Sequence, residues 1–238
     1  MVLIQCALNG RRTRAEHSAV PVTPAQLAAD AVACRAAGAR SVHLHPRRPE
    51  DGRESLAAGS HDAAVEAIRT AAPELELSCS TQQDIDLGGA ATRIDAVRAW
   101  TRPPDLVSLN LVQDDALELG LALLECGIGI EAGVSSLSDA EALLTAPWAA
   151  RVRRVLVEII DEEDDGDAAL ASAREIDARV APLGLPRLWH GHGRATWAVV
   201  AAGRDLGHDV RVGLEDTLVD RDGRPATSNA QQVLALGG

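Results

Sequence analysis

The chain has 238 residues and a formal net charge of −12, a balance that argues against a general nucleic-acid or membrane-surface role. Hydrophobic residues make up 46%, yet Phe and Tyr are absent and Trp numbers 4. The core must therefore come from Ala, Val, Leu and Ile, which suit helices packed on a buried parallel sheet.

Short apolar runs alternate with helical patterns along the whole chain. The first strand is expected at 2–8, "VLIQCAL". A helix then opens at "TPAQLAADAVACRAAG", with Thr23 as N-cap, Pro24 in the first turn, Gln26 completing a capping box and Gly38 closing it. "RSVHLH" is the second strand. Further strands are expected at 75–80, 105–110, 127–133, 154–160, 186–191 and 209–214. Helices are expected near 61–72, 90–100, 115–125, 138–149, 167–181, 195–204 and 227–236. Eight strand–helix units of about thirty residues each predict a TIM (β/α)8 barrel forming one domain over 1–238, with a doubly wound open sheet as the alternative.

Every basic residue is Arg, which excludes a Schiff-base lysine. Cys6, Cys34, Cys79 and Cys126 form no CxxC pair and read as small hydrophobes in a reducing compartment. The N-terminal "MVLIQCALNG" has no basic n-region, and no apolar run reaches membrane-spanning length. The expectation is a soluble, cytoplasmic protein that contacts neither nucleic acid nor membrane.

In a barrel, chemistry sits where strands end and βα loops begin. Strand period places His43 and His45 of "SVHLHPR" on one face, with Val42 and Leu44 on the other. Two imidazoles so placed can meet one Zn²⁺ or be packed, hydrogen-bonded core histidines. In "VRVGLED", Arg211, Gly213 and Glu215 share a face opposite Val212 and Leu214. An inward Glu215 would complete a two-His, one-Glu set that leaves a coordination position open; the alternative is an ordinary Arg–Glu pair.

The segment "ALNG" followed by "VPVTPAQLAADAVACRAAGARSVHLHPR" resembles the β-keto acid cleavage enzymes, the 3-keto-5-aminohexanoate cleavage family. "DGRES", "SLN" at 108–110, "GHGR" at 191–194, "VRVGLEDTL" and "SNAQQV" fall in the order that family shows. The resemblance implies a zinc-dependent TIM barrel in which His43, His45 and Glu215 hold the metal. It implies that Arg211 and Asp216 orient and deprotonate a small β-keto acid, with Glu131 as a further catalytic carboxylate. Ser80, with Thr81 beside it, would grip the substrate carboxylate; Ser108 and Asn110 would lie near the substrate. Apart from the resemblance, the positions of Arg47, Arg194 and His192 near the same barrel end read as further substrate contacts. The implied reaction is retro-Claisen C–C cleavage, with acetyl-CoA as co-substrate and acetoacetate and a new acyl-CoA as products.

The chain departs from the family pattern at several places. Arg11 and Arg12 stand where members carry a Glu after the first strand, with Glu16 nearby. "STQQ" at 80–83 replaces a Gly-rich turn, and Gly133 stands where an inward Glu is usual after strand five. After strand six, "DEEDDGD" at 161–167 stands where members carry a Gly-containing segment near the CoA; it reads as a solvated acidic loop or, if it lines the mouth, as a field that opposes CoA. "WHGHGR" carries a second HxH, His190 and His192, each readable as metal ligand, acid/base or packing residue. Glu158 sits within "VLVEII", and a buried carboxylate there needs a partner such as Arg154 or Arg194. Arg11, Arg12, Arg14, Arg47, Arg48, Arg194 and Arg211 gather toward one end of the barrel, which suits an anionic substrate. Two other readings stand beside the first: a metal-dependent lyase or hydrolase that has lost CoA, and a barrel that binds a ligand without turnover. A homo-oligomer is compatible with each.

Overall fold

The computed structural model describes residues 2–85, 89–160 and 166–237. Eight parallel strands close in sequence order, with β8 pairing back onto β1. They are β1 (Ile4–Ala7), β2 (Ser41–Leu44), β3 (Glu76–Ser80), β4 (Leu106–Asn110), β5 (Gly129–Val134), β6 (Arg154–Ile159), β7 (Arg187–Gly191) and β8 (Asp209–Val212). The helices that follow them are α1 (Pro24–Ala36), α2 (Ala58–Ala71), α3 (Gly89–Ala99), α4 (Ala116–Glu125), α5 (Leu137–Thr145), α6 (Gly166–Val180), α7 (Thr196–Asp205) and α8 (Asn229–Leu234). This is the TIM barrel read from the alternation, and the open sheet is excluded by the β1–β8 ladder.

Local chemistry accounts for the boundaries. Thr23 accepts from Gln26 N at 3.3 Å while the Gln26 side chain reaches back to Thr23 N, so α1 starts on the expected capping box. Gly38, at φ 115°, takes the chain out of α1 toward β2. Outward-facing Val42, Leu44, Val107, Leu109, Val155 and Val157 are fully buried beneath the helices.

Inside the barrel the lower layer is polar. Glu131 is fully buried and accepts from Arg154 Nε at 2.6 Å and Gln5 Nε2 at 2.8 Å. Ser78 Oγ donates to its other oxygen, and Arg154 also binds Glu76. Burial alone would raise the Glu131 pKa; Arg154 and the Ser78 hydroxyl reverse that and hold it below the usual carboxylate range.

One buried histidine lies away from the mouth. His61, in α2, stacks on Trp100 with ring centroids 3.7 Å apart, and its Nε2 has no hydrogen-bond partner among the described residues. Burial lowers its pKa from 6.5 to about 4, against the opposing pull of Asp62. The unfolded chain therefore takes up a proton below pH 6.5 that the folded chain refuses until about pH 4. Stability should fall as pH drops through this window, by up to about 1.4 kcal/mol per pH unit for this one group. Urea unfolding of wild type and His61→Phe across pH 4 to 7 checks it: the variant should show the shallower slope. Identical slopes would remove His61 as the cause.

Candidate metal centre

The mouth is built from the ends of β1, β2, β7 and β8. His43 on β2 and His45, the residue just past its end, keep the strand period and share the inward face, and both are 2% exposed. His43 Nδ1 lies 3.1 Å from Ser78 Oγ, which leads on to Glu131. His45 Nδ1 meets the carboxylate of Glu54. With each Nδ1 engaged, both Nε2 atoms are left facing Glu215 Oε1, at 3.9 Å from His43 and 3.6 Å from His45.

Glu215 does not lie on the strand. β8 ends at Val212, and a turn follows in which Asp216 N and Thr217 N both donate to Gly213 O at 3.0 Å. The expected strand alternation through 215 gives way here. The turn lets two consecutive carboxylates face the same guanidinium, which an extended strand cannot do. Arg211 donates to Glu215 at 2.5 Å and to both oxygens of Asp216, at 2.7 and 3.2 Å. Gly10, at φ 47°, supplies the space: a Cβ there would overlap Glu215 Cγ and sit 2.9 Å from Cδ.

Electrostatics separate the members. Burial lowers the His43 pKa to about 3, whereas Glu215 and Glu54 overcome burial at His45 and raise it to about 9. Burial would raise Glu215, but Arg211 and the two imidazoles carry it well below the carboxylate range. Its Oε2 is buried without a hydrogen-bond partner among the described residues. One donor atom each from His43, His45 and Glu215 lies within 4.8 Å of the others. Two neutral-capable nitrogens with their far sides tied, and one carboxylate, are the donor chemistry of a catalytic Zn²⁺ or similar cation. The residues therefore fit the metal that the sequence resemblance implies.

The other expected site residues distribute as follows. Ser80 and Ser108 pair across the β3–β4 ladder and share its inner face. Thr81 Oγ1 donates to Ser108 O at 2.9 Å, which ties it to the wall. Asn110 pairs with Gly133, and its Oδ1 occupies the space beside that glycine. Arg47 does not face the mouth as a free cation: it donates to the carbonyls of Gly10, Arg12 and Gly52 and so fastens the β1–α1 loop. Glu16 caps its own turn through Thr13, away from the β1 end. Glu131 lies in the layer below the donors. His192 approaches Asp216 with Nε2 3.8 Å from Oδ1, and Arg194 is exposed on the following turn. Glu158 is partnered by His190, at 3.3 Å, rather than by Arg154 or Arg194. Of the acidic segment 161–167, residues 161–165 lie outside the described residues; Gly166 and Asp167 open α6.

Sequence reasoning did not single out Asn9, Gly10, Glu54 and Ser78. Asn9 clamps the His45 backbone, accepting from His45 N at 2.9 Å and donating to His45 O at 2.9 Å. The "NG" at 9–10 and the "DGRES" at 51–55 were the available signals.

The family described as beta-keto acid cleavage enzyme matches residues 1–157 and 166–237. The chain belongs to that family. A 3-keto-5-aminohexanoate cleavage enzyme from Fusobacterium nucleatum is 26% identical over 260 aligned positions, covering 98% of this chain and 88% of that protein. A 3-dehydrocarnitine:acetyl-CoA trimethylamine transferase from Rhizobium meliloti is 36% identical over 87 residues, covering 36% of this chain and 29% of its own length. A 3,5-dioxohexanoate:acetyl-CoA acetone transferase from Paraburkholderia graminis is 32% identical over 114 residues, 34% of its length. Among solved structures, ObcA in ternary complex with a C4-CoA adduct and oxalate superposes with a TM-score of 0.72 at 19% identity, which shows the fold. This chain spans 63% of that one. Among the described residues, no helix is long and apolar enough to cross a membrane.

Proposed function

We propose that this chain is a metal-dependent β-keto acid cleavage enzyme that exchanges acyl groups between a small β-keto acid and acetyl-CoA. The balanced reaction is R–CO–CH2–COO⁻ + CH3–CO–S–CoA giving R–CO–S–CoA + CH3–CO–CH2–COO⁻. The observation that carries this reading is the double clamp by Arg211, which sets a ligand-type carboxylate, Glu215, beside a second carboxylate, Asp216, at one barrel mouth.

In this reading His43, His45 and Glu215 hold Zn²⁺ or another divalent ion, which supplies Lewis-acid stabilisation of negative charge on the keto acid's oxygens. Asp216 removes a proton from the methylene carbon, and Arg211 orients both the carboxylate and the substrate. That carbon attacks the acetyl carbonyl and CoA thiolate leaves. The thiolate then attacks the original keto carbon, the bond from that carbon to the former methylene carbon breaks, and Asp216 returns the proton to the carbon released. Ser80 and Ser108, on the inner face, receive the substrate carboxylate. Asn110, His192 and Arg194 line its approach, with Thr81 and Arg47 as supports. Glu131 acts from below, through Ser78, on the orientation of His43. A cavity of about 560 Å³ beside Glu54 is lined by Arg11, Arg48 and Arg53 together with Asp51 and Asp84, which pair with Arg48 and Arg11; CoA phosphates entering it would have to displace those carboxylates.

Incubation of the purified protein with acetyl-CoA and a panel of β-keto acids tests the reading. Acetoacetate and a new acyl-CoA should appear in equal amounts and should vanish on chelation. A metal-loaded protein that yields no acetoacetate from any acid would defeat the acyl-exchange assignment.

A further inference from the structure

We propose that His190, His192 and Asp216 form a second divalent-cation site, which shares no donor with the first. One donor atom from each residue lies within 4.8 Å of the others. His190 Nδ1 and His192 Nε2 stand 3.9 and 3.8 Å from the same oxygen, Asp216 Oδ1. That oxygen accepts one bond from Arg211 Nη2 at 2.7 Å, which leaves it a further lone pair for a cation.

The ring nitrogen that points into this cluster is an orphan. His190 is 1% exposed, and its Nδ1 is buried with no hydrogen-bond partner among the described residues. A polar atom so placed costs free energy unless something fills the position it faces. Its opposite nitrogen, Nε2, lies 3.3 Å from Glu158 Oε1. A ligand imidazole backed by a carboxylate on its far side is the arrangement that fixes a metal-binding tautomer. Glu158 can reach it because Gly133 has no side chain: a Cβ there would sit 3.1 Å from Glu158 Oε2.

The backbone around the pair is built for convergence. Strand period sends His190 and His192 to the same side, while Gly191 between them packs against Ala195 and Val199. Gly193, at φ 56°, turns the chain back, and its N–H donates to Asp216 O at 2.8 Å, which joins the β7 and β8 loops. Two imidazoles and a carboxylate favour a borderline ion such as Zn²⁺ or Co²⁺ over Mg²⁺ or Ca²⁺. In the reading proposed above, a cation held here would withdraw Asp216 from the substrate. The site itself rests on its donors and not on that reading.

Metal-stripped, tag-free protein titrated calorimetrically with Zn²⁺, with zinc content measured after dialysis, tests the proposal. Wild type should bind two equivalents; His192→Ala and His43→Ala should each bind one. His192 is partly exposed, so its loss should leave the fold and the circular dichroism spectrum unchanged. Glu158→Gln should weaken one equivalent about 10–100-fold and spare the other. A single wild-type equivalent that His43→Ala loses and His192→Ala keeps would overturn this site and leave the first. A single equivalent with the opposite dependence would support this site and overturn the first.

Discussion

Replacing Glu215 with glutamine is expected to abolish the cation equivalent that His43 and His45 share and to lower turnover about 10³-fold, the scale of the several kcal/mol that a Lewis acid contributes. The substitution keeps the shape of the side chain and the space that Gly10 leaves for it, but removes the charge that draws a cation between the two imidazoles. Arg211 keeps its bidentate contact with Asp216, so the mouth should stay folded. Metal content, kcat/KM with a responsive keto acid and a thermal unfolding curve measure the three parts separately. A Glu215→Gln protein that retains both the cation and the rate would show that the centre lies elsewhere.

Arg154→Met is expected to cost about 3–5 kcal/mol of stability, because it strands a buried carboxylate. Glu131 is fully buried, and Arg154 is the cation bonded to it. Gln5 and Ser78 remain as donors, but neither carries charge. The double substitution Arg154→Met with Glu131→Leu should recover part of the loss, since it removes the stranded charge along with its partner. Urea midpoints of the three proteins decide it. Equal destabilisation in single and double variants would mean that lost packing, not lost neutralisation, sets the cost.

The barrel was legible because each element carried its own signal. Thr23, Pro24, Gln26 and Gly38 bracket α1, and the alternation at 41–45 sets the inward face of β2. The pairing of β8 with β1 then brings the Glu215 loop to His43, the juxtaposition expected from barrel closure. What escaped depends on register or on loop geometry. Ser78 meets His43 because the β2–β3 ladder pairs them, and no local pattern announces that register. Glu54 reaches His45 through a loop that folds back by an isolated bridge between Arg47 and Glu54. Arg47 looked like an anion contact because its charge is visible in sequence; the three carbonyls that occupy it are not. The turn after Val212 reads as continued strand because its apolar alternation persists through Leu214.

The seam between the last and first strands has a consequence for biosynthesis. Gly213 lies flat against Ala7, where any Cβ would overlap the Ala7 carbonyl, and Glu215 N donates to that same oxygen at 3.3 Å. A nascent chain thus carries His43 and His45 out of the ribosome long before Glu215 exists to join them. Until β8 docks, a cation would find two imidazoles and no third ligand from the loop after β8. If the proposed centre holds a cation, its full donor set exists only after the seam has closed.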